Sequence, residues 1–170
     1  SSYEDLVNAK DIEVIYIPLP IGLHYKWAIK SLERGKHLLI EKSLACNIKQ
    51  VREIINLAKK RNLLVMENYM FEFHSQQKWV RNIILENIKN VYSFNAYFAF
   101  PQLNKDNIRY NSKLGGGSLL DAGGYVLKAM DVFFPNHEKE FISSNLKYIE
   151  NGVDIAGSAF FILRNTNEVI

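Results

Sequence analysis

Three short apolar runs, separated by two segments of helical pattern, limit the folds open to this chain more than any other feature. Residues 12–17, 37–40 and 63–66 have the length and β-branched content of strands. Between the first two lies residues 22–33, with Leu23, Trp27, Ile29 and Leu32 among its apolar positions. Between the last two, Ile48, Val51, Ile54, Ile55 and Ala58 recur at helical spacing behind Asn47, a residue suited to an N-cap. Strand alternating with helix predicts a parallel sheet with crossover helices. The first run reads as a strand buried on both faces. Pro18 and Pro20 end it, and Gly35 stands where a C-terminal glycine is expected. Ligands of such sheets bind beyond the carboxyl ends of the strands. Glu41, Lys42, Glu67 and Asn68 fall at those ends.

The pattern changes near His74. Residues 76–85 read as a helix, and residues 91–100 as a strand with Tyr92, Phe94, Ala96, Phe98 and Phe100 on one face. A polar loop follows to Leu114, then a helix that stops before Pro135. Residues 141–150 and 154–164 read as two long strands joined by the turn Asn151-Gly152. An α/β part is thus followed by an α+β part with antiparallel strands, the boundary lying at about residues 70–76. Residues 2–7 form a short capped helix, and Glu168-Val169-Ile170 reads as the start of another strand, so the chain is expected to be a fragment cut at both ends.

Charge excludes one class of partner. A net charge of +3 is mild, and the lysines, Lys26, Lys30, Lys36, Lys49, Lys59 and Lys60 among them, are scattered like solvated helix faces. No basic stripe for nucleic acid is present. No apolar run approaches the roughly 20 residues of a membrane helix. The lone cysteine, Cys46, permits no internal disulfide and fits a reducing, cytoplasmic setting. His24, His37, His74 and His137 show no metal-ligand spacing with one another or with Cys46, so no metal is expected.

Candidate chemistry gathers around Gly115-Gly116-Gly117-Ser118-Leu119-Leu120-Asp121-Ala122-Gly123-Gly124-Tyr125. Glycine permits unusual backbone angles and close approach of a ligand. Asp121 and Tyr125 stand four positions apart and share a helix face. A carboxylate and a phenol placed together can bind a polyol and move a proton. The competing reading is a glycine loop opening a buried helix, with Asp121 near its first turn for dipole reasons. Lys42 either polarises an oxygen at a strand end or is a surface lysine. His24 either contacts a ligand or faces solvent. Arg109, beside Tyr110 on the polar loop, either pairs with an anion or is a solvated charge. The chain contains no G-x-G-x-x-G fingerprint.

Four segments, in order, resemble one family. These are Val14-Ile15-Tyr16-Ile17-Pro18-Leu19-Pro20 with His24, Gly35 through Ala45 with its Glu41-Lys42-Ser43, Met66-Glu67-Asn68-Tyr69-Met70-Phe71, and the glycine-rich stretch to Tyr125. The resemblance is to the NAD(P)-dependent oxidoreductases of the glucose–fructose oxidoreductase, inositol dehydrogenase and rhizopine-catabolism type (Gfo/Idh/MocA), and it covers essentially the whole chain. It implies the C-terminal part of a Rossmann parallel sheet, residues 1–73, and an α+β domain with an open, mainly antiparallel sheet, residues 74–170. The glycine fingerprint would precede Ser1, and the fragment alone would be inactive.

The resemblance assigns catalytic roles to Lys42, Tyr125 and Asp121. Pro18, Pro20, His24, Glu41 and Lys42 would line the NAD or NADP site. Asn68, Arg109, Tyr110 and Asp121 would contact substrate. In the reducing direction Tyr125 would protonate the nascent alkoxide, with Lys42 lowering its pKa or holding the oxygen. Residues 98–110 resemble members that reduce keto groups of nucleotide-linked sugars. Aldose or dihydrodiol dehydrogenase is the alternative enzyme, and a non-catalytic binding or assembly module the alternative class. Association into a homo-oligomer through the C-terminal sheet is also implied. Three positions depart from the family pattern. Ser43 replaces a proline whose bond to lysine is expected to be cis, Ile21 replaces a frequent asparagine, and Glu72 replaces a frequent arginine.

Overall fold

A computed structural model describes residues 2–88 and 91–165; the strand start expected at residues 168–170 lies outside them. Helix α1 (Tyr3–Asn8) begins with a reciprocal cap. Ser2 Oγ accepts from the Asp5 amide at 3.1 Å, and Asp5 Oδ2 accepts from the Ser2 amide at 2.7 Å, which satisfies two donors that the first turn leaves free. Then come β1 (Val14–Ile17), α2 (Ile21–Glu33), β2 (His37–Glu41), α3 (Ile48–Lys60) and β3 (Val65–Asn68). The strands form one parallel sheet in the order β1-β2-β3. Ile17 pairs with Ile40, and Glu41 with Asn68. Strand ends differ from the sequence reading by one or two residues, so Glu41, Glu67 and Asn68 belong to the strands rather than following them.

Ile15, Ile17, Leu38 and Ile40 form one buried cluster with Ala28 and Leu32 of α2 and Ile54 and Ala58 of α3. Each fully buried Leu or Ile contributes about 1.5–3 kcal/mol over an exposed one. The expectation of burial on both faces of β1 is corrected. Val14 and Tyr16 alternate with the buried residues and are exposed, because α2 and α3 cover one face of the sheet. Lys36 is also corrected: it is 6% exposed, and its ammonium donates to the Ile12 carbonyl at 2.7 Å and to the Ala9 carbonyl.

A 3₁₀ turn, Met70–Phe73, leads into α4 (Ser75–Asn87). Residues 91–100 form no strand, since among the described residues no neighbour supplies ladder hydrogen bonds. Phe94 of this segment packs on a helix end instead, 5.9 Å from Phe133 and 5.3 Å from Phe134, centroid to centroid, while Tyr92 of the same face is exposed. The polar loop contains two 3₁₀ turns, Ile108–Tyr110 and Ser112–Leu114. A π-helical turn, Leu119–Gly123, continues into α5 (Gly124–Phe133). Finally β4 (His137–Tyr148) and β5 (Asp154–Asn165) form an antiparallel pair. Gly152 has φ +79° in their connecting turn, the left-handed conformation for which glycine is suited.

Candidate active site

The site begins where the parallel strands end. Glu41 Oε1 accepts from Tyr16 Oη and from Asn68 Nδ2, both at 2.7 Å, so one carboxylate joins all three strands. Partial burial works against ionisation of Glu41, but the bonds from Asn68 and Tyr16 hold its carboxyl below the usual carboxylate range. The chain then turns at the Lys42–Ser43 peptide, which is cis. Lys42 Nζ donates to Asp121 Oδ1 and to the Asp121 carbonyl, each at 2.6 Å. Ser43 Oγ donates to the Leu120 carbonyl at 2.8 Å. Two consecutive residues after β2 thus grip two consecutive residues of the π-helical turn.

Arg109 completes the cluster, its Nε donating to Asp121 Oδ2 at 2.6 Å. Burial raises the Asp121 pKa, yet the hydrogen bonds and charges of Lys42 and Arg109 outweigh it and hold this carboxyl low. One helical turn on, Tyr125 lies with its ring centroid 5.1 Å from Lys42 Nζ. Phe98 stacks on the Tyr125 ring at 4.9 Å and 9°, and Tyr69 meets it edge-on at 5.5 Å. Burial pushes the Tyr125 phenol up, and the negative charges of Glu41 and Asp121 push it further. Lys42 is expected from the sequence either to lower this pKa or to hold the substrate oxygen; the direction of the shift, set by burial and the two carboxylates, runs against the first alternative.

The sequence-derived residues do not all converge. Lys42, Asp121, Tyr125 and Arg109 form one cluster, with Glu41 and Asn68 beside Lys42 at the strand ends. Pro18 and Pro20 flank Leu19 in the turn between β1 and α2. Tyr110 is directed elsewhere, its hydroxyl accepting from the Leu103 amide at 3.3 Å. His24 departs from both readings of it. It is fully buried, with its ring nitrogens 2.6 Å from the Leu19 carbonyl and 2.8 Å from the Ser43 carbonyl. Its imidazole ties the turn after β1 to the turn after β2 and has no edge left for a ligand.

The glycines, too, serve packing. A Cβ on Gly116 would meet the Arg109 carbonyl oxygen at 2.5 Å, and Gly117, at φ +131°, lies against the Asp154 carboxylate. Protein atoms come close to this backbone at both positions.

Several contributors escaped the sequence reading. Tyr16 carried a signal, since its place one residue before the end of β1 sets it beside Glu41 once the strands are aligned in parallel. Phe98 was legible only as a packing residue. The Ser43 hydroxyl and Asp154 had no local signal, as their partners lie 77 and 35–36 positions away. Glu67 Oε1 accepts from the Leu44 amide at 2.7 Å, and burial raises its pKa despite that bond. Among the described residues no group of His, Cys, Asp and Glu is placed to hold a metal ion, and no helix is long and apolar enough to cross a membrane.

A parallel sheet with polar groups gathered at its carboxyl ends is the architecture of a Rossmann nucleotide-binding unit. A family profile described as an oxidoreductase family with NAD-binding Rossmann fold matches residues 1–69. A dTDP-3,4-didehydro-2,6-dideoxy-alpha-D-glucose 3-reductase of Saccharopolyspora spinosa is 38% identical over 157 residues, 92% of this chain and 47% of that protein. A trans-1,2-dihydrobenzene-1,2-diol dehydrogenase of Xenopus laevis is 33% identical, over 90% of this chain and 46% of its own length. A 3-ketoreductase from Actinomadura kijaniata, solved with NADP and TDP-benzene, superimposes with a TM-score of 0.88 at 34% identity, covering 95% of this chain and 50% of that one. Residues 1–69 thus match the NAD-binding Rossmann domain of the Gfo/Idh/MocA oxidoreductase family, and the similarity to these relatives continues over about nine-tenths of the chain. It spans about half the length of the curated relatives it matches.

Proposed function

We propose that the protein carrying this chain is an NAD(P)-dependent reductase acting on a keto group of a nucleotide-linked sugar. The position of Lys42 carries the reading. Its ammonium lies against Asp121 and over the Tyr125 ring, at the carboxyl end of β2. Residues 1–73 are read as part of the nucleotide domain, and residues 74–170 as part of the substrate domain.

A carboxylate, an ammonium and a carboxamide on neighbouring strand ends, Glu41, Lys42 and Asn68, suit the hydroxyls and carboxamide of a nicotinamide riboside. Reduced nicotinamide, NADH or NADPH, supplies a hydride to the carbonyl carbon when bound. Tyr125 donates its proton to the carbonyl oxygen as the new C–H bond forms, and the phenolate regains a proton from solvent. The phenol is protonated at neutral pH, and burial with the two carboxylates pushes its pKa up, so its proton leaves only as hydride addition creates a strongly basic alkoxide beside it. Lys42 orients the oxygen, while Asp121, held ionised by Lys42 and Arg109, accepts from a neighbouring sugar hydroxyl.

The test is NADPH consumption by the full-length protein with a dTDP-linked 3-keto sugar. No turnover with any nucleotide-linked keto sugar sinks the proposal. The likeness to a dihydrodiol dehydrogenase favours a second reading, oxidation of an aldose or diol; NADP reduction by free sugars or dihydrodiols alone selects it. Failure to bind either cofactor selects a non-catalytic module. We further place the protein in the cytoplasm, which suits the free thiol of Cys46. Association through the β4–β5 sheet is supported by its exposed Phe141, Phe160 and Ile162. Light scattering showing a monomer rules that association out.

A further inference from the structure

We infer that Asp154 is a positioning residue: from the β4–β5 hairpin it caps the helical turn that carries Asp121 and Tyr125. The inference rests on the reading of those two residues as reacting groups. Neither the π-helical turn nor α5 has a side-chain cap of its own. Ser118, just before the turn, has helical angles (φ −66°, ψ −31°) and is not in the extended conformation of an N-cap.

The cap comes instead from the far side of the chain. Asp154 Oδ2 accepts from the Leu119 amide at 2.6 Å and from Ser118 Oγ at 2.7 Å. Its other oxygen occupies the space a Cβ on Gly117 would need. A carboxylate in this place satisfies a first-turn N–H and complements the positive end of the helix dipole.

What the cap sets is rotation. Successive helical residues are about 100° apart, at 3.6 residues per turn. A slip of one residue in the first turn would therefore carry Asp121 away from Lys42 and Tyr125 away from Phe98. The hairpin braces this loop at a second point, where Asn151 Nδ2 donates to the Tyr110 carbonyl at 2.8 Å, next to Arg109. Val153, between the two braces, is 2% exposed, which anchors the turn. The Arg109 carbonyl in turn accepts from the Gly117 amide at 3.0 Å. Both ends of the Arg109–Asp121 ion pair are thus referred to one short turn of the hairpin.

The experiment compares Asp154→Ala, Asp154→Asn and Ser118→Ala in the full-length protein. Each is measured for kcat with a dTDP-linked keto sugar, for NADPH affinity, and for amide hydrogen exchange over residues 119–125. In Asp154→Ala, kcat is expected to fall by about 10²-fold, the scale of a 1 Å misplacement, with NADPH affinity within twofold and exchange accelerated over residues 119–125 but not in α2 or α3. Asp154→Asn, which keeps an acceptor oxygen, recovers most of kcat. Ser118→Ala, which leaves the Leu119 bond, loses less than Asp154→Ala and covers the case in which that variant does not fold. Unchanged kcat in both Asp154→Ala and Ser118→Ala overturns the inference. So does a fall in kcat accompanied by equal loss of NADPH affinity, which marks a general structural role. If the wild type turns over no keto sugar, the proposed function has failed. Exchange then decides alone: acceleration confined to residues 119–125 supports the cap, and its absence refutes it.

Discussion

Lys42 Nζ lies 2.6 Å from Asp121 Oδ1 and 2.6 Å from the Asp121 carbonyl oxygen, across 79 positions of sequence. Both side chains are largely buried, at 15% and 14% exposure. A buried pair of this kind is a weak source of net stability, because desolvation offsets much of the attraction, but losing one partner leaves a charge uncompensated. Here Arg109 still holds Asp121 when Lys42 is removed. Lys42→Ala in the full-length protein is therefore expected to fold and to lose kcat by about 10²-fold, the scale of a misplaced reacting group. Circular dichroism and steady-state rates check this. Near-normal turnover would remove Lys42 from the mechanism.

Tyr125→Phe isolates the proton donor. The phenylalanine ring keeps the stacking on Phe98 and the edge contact with Tyr69. Only the hydroxyl is lost. The expected result is an unchanged melting temperature within a few degrees and a kcat lower by about 10²-fold or more. Wild-type kcat in this variant would assign the proton to another group.

The Asp121 pKa makes stability depend on acid. Its folded value lies below the unfolded one, because Lys42 and Arg109 outweigh burial. The unfolded state then binds more protons through the ordinary carboxylate range. The contribution is fully present above that range and is lost as pH falls through it toward the folded pKa. Denaturant unfolding at stepped pH is expected to show this loss in the wild type and a shallower acid slope in Asp121→Asn. Equal slopes would contradict it.

Glu67 has the opposite sign. Burial raises its folded pKa, which the Leu44 amide bond lowers only in part. Its ionisation therefore weakens the fold as pH rises through the folded value. Glu67→Gln retains an acceptor for the Leu44 amide without a buried charge. It is expected to be more stable than the wild type at neutral pH, with the gain shrinking in acid. A variant less stable at neutral pH would show that the charge itself is needed.

Ser31 in α2 is fully buried, and among the described residues its hydroxyl has no hydrogen-bond partner. A buried polar group left unpaired costs about 1–3 kcal/mol, and alanine is also the better helix former. Ser31→Ala is expected to raise stability by about 1 kcal/mol in urea unfolding, with kcat unchanged. A loss of stability would indicate a bonded hydroxyl.

Much of this architecture was legible from neighbouring residues. The spacing of Ile48, Val51, Ile54, Ile55 and Ala58 is that of one helix face, and α3 forms there behind its Asn47 cap, whose Oδ1 accepts from the Gln50 amide at 3.0 Å. Four-residue spacing placed Asp121 and Tyr125 together, and both border Lys42. These are matters of period, capping and turn preference, which act over a few residues. Residues 91–100 have the alternation of a strand and form none, because alternation prepares a face while a ladder needs a partner.

The remaining features required the chain to close on itself. Lys36 has the neighbours of a surface lysine and is buried because the α1–β1 loop brings the Ile12 carbonyl to it. His24 was open to a ligand or to solvent until two turns converged on its ring. Asp154 stood as the first residue of a strand, with no role assigned, until the glycine loop wrapped it. The Tyr125 phenol is raised because the fold buries it and brings the carboxylates of Glu41 and Asp121 near it. Burial, charge and hydrogen bonding depend on distances in space, and local pattern constrains those distances only within an element.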